Sequence, residues 1–314
     1  MKTGPSRLLL VLALAAAVMP STAQEQKNKP PDAHVDVTVT AITIAVTVQD
    51  ADGRLVNNLP QKDFTVYENG KKRTITYFKQ NYFAPLSLTV LLDVSGSMAV
   101  LQKLEEAKAA LRELATSILS PRDELSLLIF ADGQVEVAVP FSKDRDMFLK
   151  ELDKLQPYGQ TALNDAVAVS PEFANRVQNE KRALLLVTDG VENDSQLLPE
   201  QALEIARRVD VPIYTIGYKI PMEEQLLKML KKGQGTTSAG IIKTLDRFSQ
   251  ATGGRAYFLN RPEEMLEVLR ELKKEQTHQY IIGYTSNKDV GGDYRLIRVT
   301  TSNYKHKVRT RQGY

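Results

Sequence analysis

The 314-residue chain has no cysteine and only three histidines, His34, His278 and His306. Without cysteine there is no disulfide framework, no thiol nucleophile, no thiolate-bound metal and no lipidated cysteine anchor. No His-Glu-x-x-His or Gly-x-Ser-x-Gly pattern occurs. Residues 235–240 begin like a phosphate-binding loop, but Ile241 stands where that loop needs lysine. Zinc-protease, serine-hydrolase and P-loop chemistry are therefore not encoded in recognisable form. Excess charge is also missing: 41 basic residues face 38 acidic ones, and discounting Lys2 and Arg7 in the leader leaves a net charge of +1. Bulk charge gives no case for nucleic-acid binding. Long apolar runs are absent too, the one at residues 8–18 being about 11 residues where a spanning helix needs roughly 20.

With its basic start and the small residues Ser21, Thr22 and Ala23, that run reads as a secretory signal peptide over 1–23, cut between Ala23 and Gln24. The expected product is an exported protein, periplasmic or extracellular in a bacterium, soluble or peripherally attached and without a transmembrane segment. Residues 24–33 are a polar, proline-bearing linker. Residues 34–83 read as a small all-β unit. Alternation at 35–40 and 42–48 marks strands. Residues 63–68 form another, and the Asn69-Gly70 turn leads to a partner strand at 72–78. A unit this small needs support from elsewhere in the chain.

The chain is organised around residues 87–98. A run free of charge, rich in leucine and β-branched residues, ends in Asp93-Val94-Ser95-Gly96-Ser97. The run predicts a strand buried on both faces, as in a parallel sheet covered by helices. The carboxyl end of such a strand is where open α/β sheets bind ligands. Two later pieces share that character: Gly159-Gln160-Thr161 before a helical pattern, and a second buried run, 183–188, ending in Asp189-Gly190. Carboxylate and hydroxyl oxygens of this kind suit a hard divalent cation. With only two carboxylates and room for waters, Mg²⁺ is favoured, with Mn²⁺ or Ca²⁺ as alternatives.

These three pieces resemble the von Willebrand factor A family, whose metal-ion-dependent adhesion site is Asp-x-Ser-x-Ser, a downstream Thr and a downstream Asp-Gly. The matching positions are Asp93, Ser95, Ser97, Thr161 and Asp189, and the likeness covers roughly 86–276. The resemblance implies a Rossmann-like, doubly wound, mostly parallel α/β sheet, no catalytic activity, and a metal-bound carboxylate supplied by an Asp or Glu of a partner protein. It also implies that the last helix, 262–275, shifts when the site is filled. Residues 63–70, with the order β unit, A domain, short β tail, are similar to secreted bacterial von Willebrand A-related proteins.

Strands and helices alternate through most of 86–276. Leu101, Leu104, Ala107, Leu111, Leu114 and Ile118 predict an amphipathic helix, and Asp132-Gly133 a hairpin. Pro171 is expected to end or kink the helix begun near Ala162, and 222–240 to be irregular. Residues 277–314 hold three further strand-like runs, and the expectation is a small β-sandwich-like domain built with 34–83, the A domain being inserted between them.

Plainer alternatives exist. Asp93 and Asp189 could merely end strands, the serines could cap a helix, and Thr161 could cap the helix it precedes. The β unit could make the contact as an envelope scaffold, through the alternating basic residues of 305–311, and a metal-assisted hydrolase would lack a visible general base. Asn193-Asp194-Ser195 fits a glycosylation sequon, a match that is usually fortuitous.

Overall fold

A computed structural model of the chain describes residues 38–81, 84–177, 179–222, 237–288 and 294–314. The signal-peptide and linker expectations, His34 and most of 222–240 lie outside the described residues.

The first strand is continuous where the sequence suggested two: β1 runs Thr38–Gln49. It is followed by β2 (Phe64–Glu68), β3 (Lys71–Arg73), β4 (Ile75–Asn81) and β5 (Leu86–Asp93). Helix α1 (Lys103–Glu113) leads to the hairpin β6 (Glu124–Ala131) and β7 (Gln134–Ser142). Next come α2 (Arg145–Lys154), α3 (Leu163–Ala174), β8 (Lys181–Thr188), α4 (Pro199–Ala206) and β9 (Ile213–Tyr218). Helix α5 (Ser238–Thr252), β10 (Ala256–Leu259) and α6 (Pro262–Thr277) complete the alternating part. The tail contributes β11 (Gln279–Lys288), β12 (Ile297–Thr301) and β13 (Lys307–Arg309).

Among the described residues the strands make three sheets. The largest has the order β10-β9-β8-β5-β6-β7, parallel except for β7, which returns antiparallel on β6. Its central strand β5 is buried at every position, because both edges are paired and both faces are covered by helices. Leu88, Val90 and Leu92 pack with Leu104, Leu111, Phe148, Met265 and Leu269 on one face. Leu91, Leu184 and Leu186 pack with Leu163, Val167, Ala202 and Phe248 on the other. The side-chain period of a strand thus sends alternate residues into two cores.

The other sheets have the orders β13-β1-β11-β4 and β12-β2-β3. Both mix strands from before and after the parallel sheet, and β1 pairs antiparallel with β11 over Thr38–Val46. Ile44, Val46, Phe64, Val66, Tyr280, Ile282 and Val299 from the two sheets share one core. Phe64 packs at a tilt against Tyr280 and Phe78, with ring centroids 4.8 and 5.5 Å away.

Four sequence expectations need correction. Residues 72–78 are not one hairpin partner for β2: β3 pairs with β2, whereas β4 crosses to β11 in the other sheet. Of the two outcomes expected at Pro171, the helix does not end there. Only Glu172 to Ala174 follow within α3, and the Ser170 hydroxyl donates to the Ala166 carbonyl at 2.6 Å. Leu101 is not on the apolar face of α1; it precedes the helix, 60% exposed, with φ +56°. The basic alternation of 305–311 is partly consumed inside the molecule. Arg309 pairs with Glu275 and Arg311 with Asp210 at 2.8 Å.

Candidate metal centre

The two carboxylates of the motif end neighbouring strands. β5 and β8 run parallel with Leu92 opposite Val187, so Asp93 closes one strand and Asp189 follows the other. Both side chains are fully buried. Asp93 Oδ1 accepts the Ser95 amide at 2.9 Å, and Asp93 Oδ2 accepts the Thr188 hydroxyl at 2.6 Å. Asp189 Oδ1 accepts the Val191 amide at 3.0 Å.

The serine loop is tied to the segment before Thr161. The Gly96 amide donates to the Gly159 carbonyl at 3.0 Å, and the Tyr158 amide to the Val94 carbonyl at 2.8 Å. Ser95 Oγ and Ser97 Oγ lie 3.1 Å apart. The hairpin tip holds the other side: Asp132 Oδ1 accepts the Gln160 amide at 2.6 Å, while the Asp132 amide donates to the Gln160 carbonyl at 2.9 Å. Gly159, at φ +65°, passes so close that a Cβ there would stand 2.2 Å from the Asp132 carboxylate. Only glycine serves both needs.

Thr161 is clamped to the loop after Asp189. Its amide donates to Asn193 Oδ1 at 2.8 Å, and its carbonyl accepts the amides of Asn193 and Asp194, each at 3.1 Å. The capping alternative for Thr161 fails, since α3 has Ala162 at its N-cap with no side-chain cap. The first α3 amides are met instead by Ser195 Oγ and Glu192 Oε2 on Asn164, at 3.0 and 3.1 Å. Asn193 and Ser195, the sequon residues, are thus engaged internally. The capping alternative for Ser95 also fails: it precedes the short 3₁₀ segment Gly96–Gln102 without a side-chain cap bond.

Hydrogen bonds therefore link the three segments carrying all five motif residues at one rim of the parallel sheet. One buried charged side chain at this rim was missed. Lys103, 2% exposed, donates to Asp189 Oδ2 at 2.6 Å and lies 3.5 Å from the Ser97 carbonyl. A signal existed: Lys103 begins the stripe Ala107, Leu111, Leu114, and a lysine on the buried face of a helix needs an anion. The histidines stand elsewhere. His278 follows α6 with Nδ1 2.6 Å from the Lys274 carbonyl, and His306 sits in the turn before β13.

The electrostatics suit a cation richer in charge than one ammonium. Among the described residues no ion pair reaches Asp93. Its burial, and then the neighbouring charge of Asp189, push its carboxyl up to about 7. All five motif side chains offer oxygen, the donor type that Mg²⁺, Mn²⁺ and Ca²⁺ prefer.

Residues 88–192 match the von Willebrand factor type A domain family. An uncharacterized protein of Borreliella burgdorferi is 27% identical over 231 residues, 68% of this chain and 66% of that protein. The magnesium-chelatase 67 kDa subunit of Chlorobaculum tepidum is 33% identical over 182 residues. That match takes in 54% of this chain but spans only 28% of the chelatase subunit. Among solved structures, a von Willebrand factor type A protein from Catenulispora acidiphila superposes with a TM-score of 0.50 at 11% identity, over 88% of this chain and 71% of that one. The pilus adhesin SpaC from Lactobacillus rhamnosus GG, in its open conformation, gives 0.51 at 11% identity over 82% and 48%. At such identities the two structures speak for the fold alone. Fold and family match agree over the parallel sheet: the chain contains a von Willebrand factor type A domain, a protein-interaction module, matched over residues 88–192.

Proposed function

We propose that the chain is an exported, metal-dependent protein-binding module. Asp93, Ser95, Ser97, Thr161 and Asp189 hold one divalent cation, Mg²⁺ in the first place, and an Asp or Glu of a partner protein completes its coordination. The observation that carries this reading is the pair of fully buried carboxylates at adjacent strand ends, served by a single ammonium. Ionising both buried carboxylates against one positive charge is costly in a low-dielectric site, and a divalent ion balances the pair. The remaining donors are neutral hydroxyls, so the ion keeps enough positive character to attract a further carboxylate. Export is supported by the leader pattern of residues 1–23.

The β-unit scaffold is the weaker reading, because Arg309 and Arg311, half of its basic stripe, are already paired within the chain. The discriminating experiment is capture from a bacterial envelope extract on immobilised protein. A partner held in Mg²⁺, released by chelator, and lost when extract carboxyls are amidated with carbodiimide supports the metal reading. Capture that persists in chelator contradicts it.

A further inference from the structure

We propose that Lys103 is a built-in competitor for the divalent ion: its ammonium neutralises Asp189 in the metal-free protein, and metal binding drives it away from that carboxylate. The inference rests on the metal reading above and names the residue that sets the affinity of that site.

Three observations carry it. First, the ammonium occupies the cation's own neighbourhood. It is 2.6 Å from Asp189 Oδ2 and 3.5 Å from the Ser97 carbonyl, and both residues belong to the metal set. Two cations beside one buried carboxylate repel strongly where the dielectric is low, so ammonium and metal exclude one another. Second, the exchange improves the charge balance. Asp93 and Asp189 together carry two negative charges when ionised; Lys103 offsets one, and a divalent ion offsets both.

Third, the chain leading into Lys103 is held under strain. Leu101 and Gln102 both have φ +56°, a left-handed conformation that residues with a Cβ adopt at a cost. Such backbone persists when its surroundings fix it. On one side the Leu101 carbonyl accepts from Lys219 Nζ at 3.2 Å. On the other, Lys103 is anchored in the buried ion pair. Release of Lys103 removes one of these two restraints. The segment affected carries the exposed apolar side chains of Val100 and Leu101, beside the serine loop that would meet a partner. Metal occupancy and the shape of the binding rim are thereby coupled through one side chain.

The test is calorimetric titration of Mn²⁺ into the wild-type protein and into Lys103→Met, which keeps an unbranched apolar stem of similar reach and removes the charge. The expected result is at least tenfold tighter Mn²⁺ binding by the variant, with a melting midpoint lowered in chelator and recovered in saturating Mn²⁺. Equal or weaker binding by the folded variant, with wild-type binding intact, overturns the competitor role while the metal site stands. Absence of binding in both proteins overturns the metal reading and this inference with it. Should the variant fail to fold, reductive methylation of wild-type lysines read by mass spectrometry decides the matter. Lys103 protected in chelator and labelled in saturating Mg²⁺ supports the exchange, and protection in both contradicts it.

Discussion

The Thr188 hydroxyl donates to Asp93 Oδ2 at 2.6 Å, and its own Oγ1 accepts the Gly190 amide at 2.9 Å. A residue outside the recognisable motif therefore joins the two strand ends: it orients the first carboxylate and fixes the turn carrying the second. Thr188→Val keeps the shape and removes the donor. Leaving a buried carboxylate short of one hydrogen bond costs about 1–3 kcal/mol. The expected outcome is a stability loss of that order in urea denaturation and Mn²⁺ binding weakened about tenfold, the equivalent of about 1.4 kcal/mol. Unchanged values in both measurements would remove Thr188 from the site.

The pH dependence follows from Asp93. Burial and the charge of Asp189 raise its carboxyl from an ordinary 3.8 to about 7. Between those values the metal-free native protein keeps a proton that the unfolded chain has released. This contribution to stability is therefore fully present below pH 3.8 and is lost as the pH rises through about 7. In chelator, Asp93→Asn should flatten that part of the stability profile. Metal binding runs the other way because it expels the proton, so Mn²⁺ affinity should rise up to about tenfold per pH unit and level off above about 7. Calorimetry at several pH values across this range checks both slopes; a flat affinity profile would contradict the assignment.

Gly190 adopts φ +75°, and a Cβ there would stand 2.3 Å from Ile241 Cγ2 and 3.3 Å from Leu245 Cδ1. Gly190→Ala adds left-handed strain of about 1 kcal/mol and crowding of about 1–3 kcal/mol against α5. Because the residue follows Asp189 directly, denaturation should show the loss and Mn²⁺ titration a weaker site. A variant as stable as wild type, with equal affinity, would show that the loop relaxes freely.

Glu275, near the end of α6, is buried among Arg309, the Tyr214 hydroxyl and the Thr47 hydroxyl at 3.4 Å. These residues come from the parallel sheet, its last helix and the antiparallel sheet. Arg309→Met leaves a buried carboxylate without its cation, which costs about 3–5 kcal/mol. Adding Glu275→Gln should recover much of that loss. Guanidinium denaturation of the single and double variants measures both. Additive losses would mean that the pair is not coupled.

The fold class was legible in the sequence because uncharged runs such as 87–92 and 183–187 can only be strands buried on both faces once helices alternate with them. The nearness of the three motif segments was legible because two buried runs end in Asp93 and Asp189 and a helical pattern follows Thr161. Features set by distant contacts were not. Residues 72–78 alternate as one strand, but alternation does not say which sheet a strand joins; the break falls at Thr74, and β4 pairs with β11, over two hundred residues later. Leu101 suits a helical stripe by spacing, yet the chain turns there to bring Lys103 to Asp189. Lys103 itself passed unread because a lysine inside a helical pattern is ordinarily a solvated residue.

Asp93 and Asp189 are proposed to bind one divalent cation. Isothermal titration of Mn²⁺ and Mg²⁺ into the wild-type protein and an Asp93→Asn, Asp189→Asn double variant, with folding checked by circular dichroism, tests it most directly. The expected result is one saturable site in the wild type and none in the folded double variant. Binding that survives both substitutions unchanged, or no saturable binding by the wild type at millimolar metal, would contradict it.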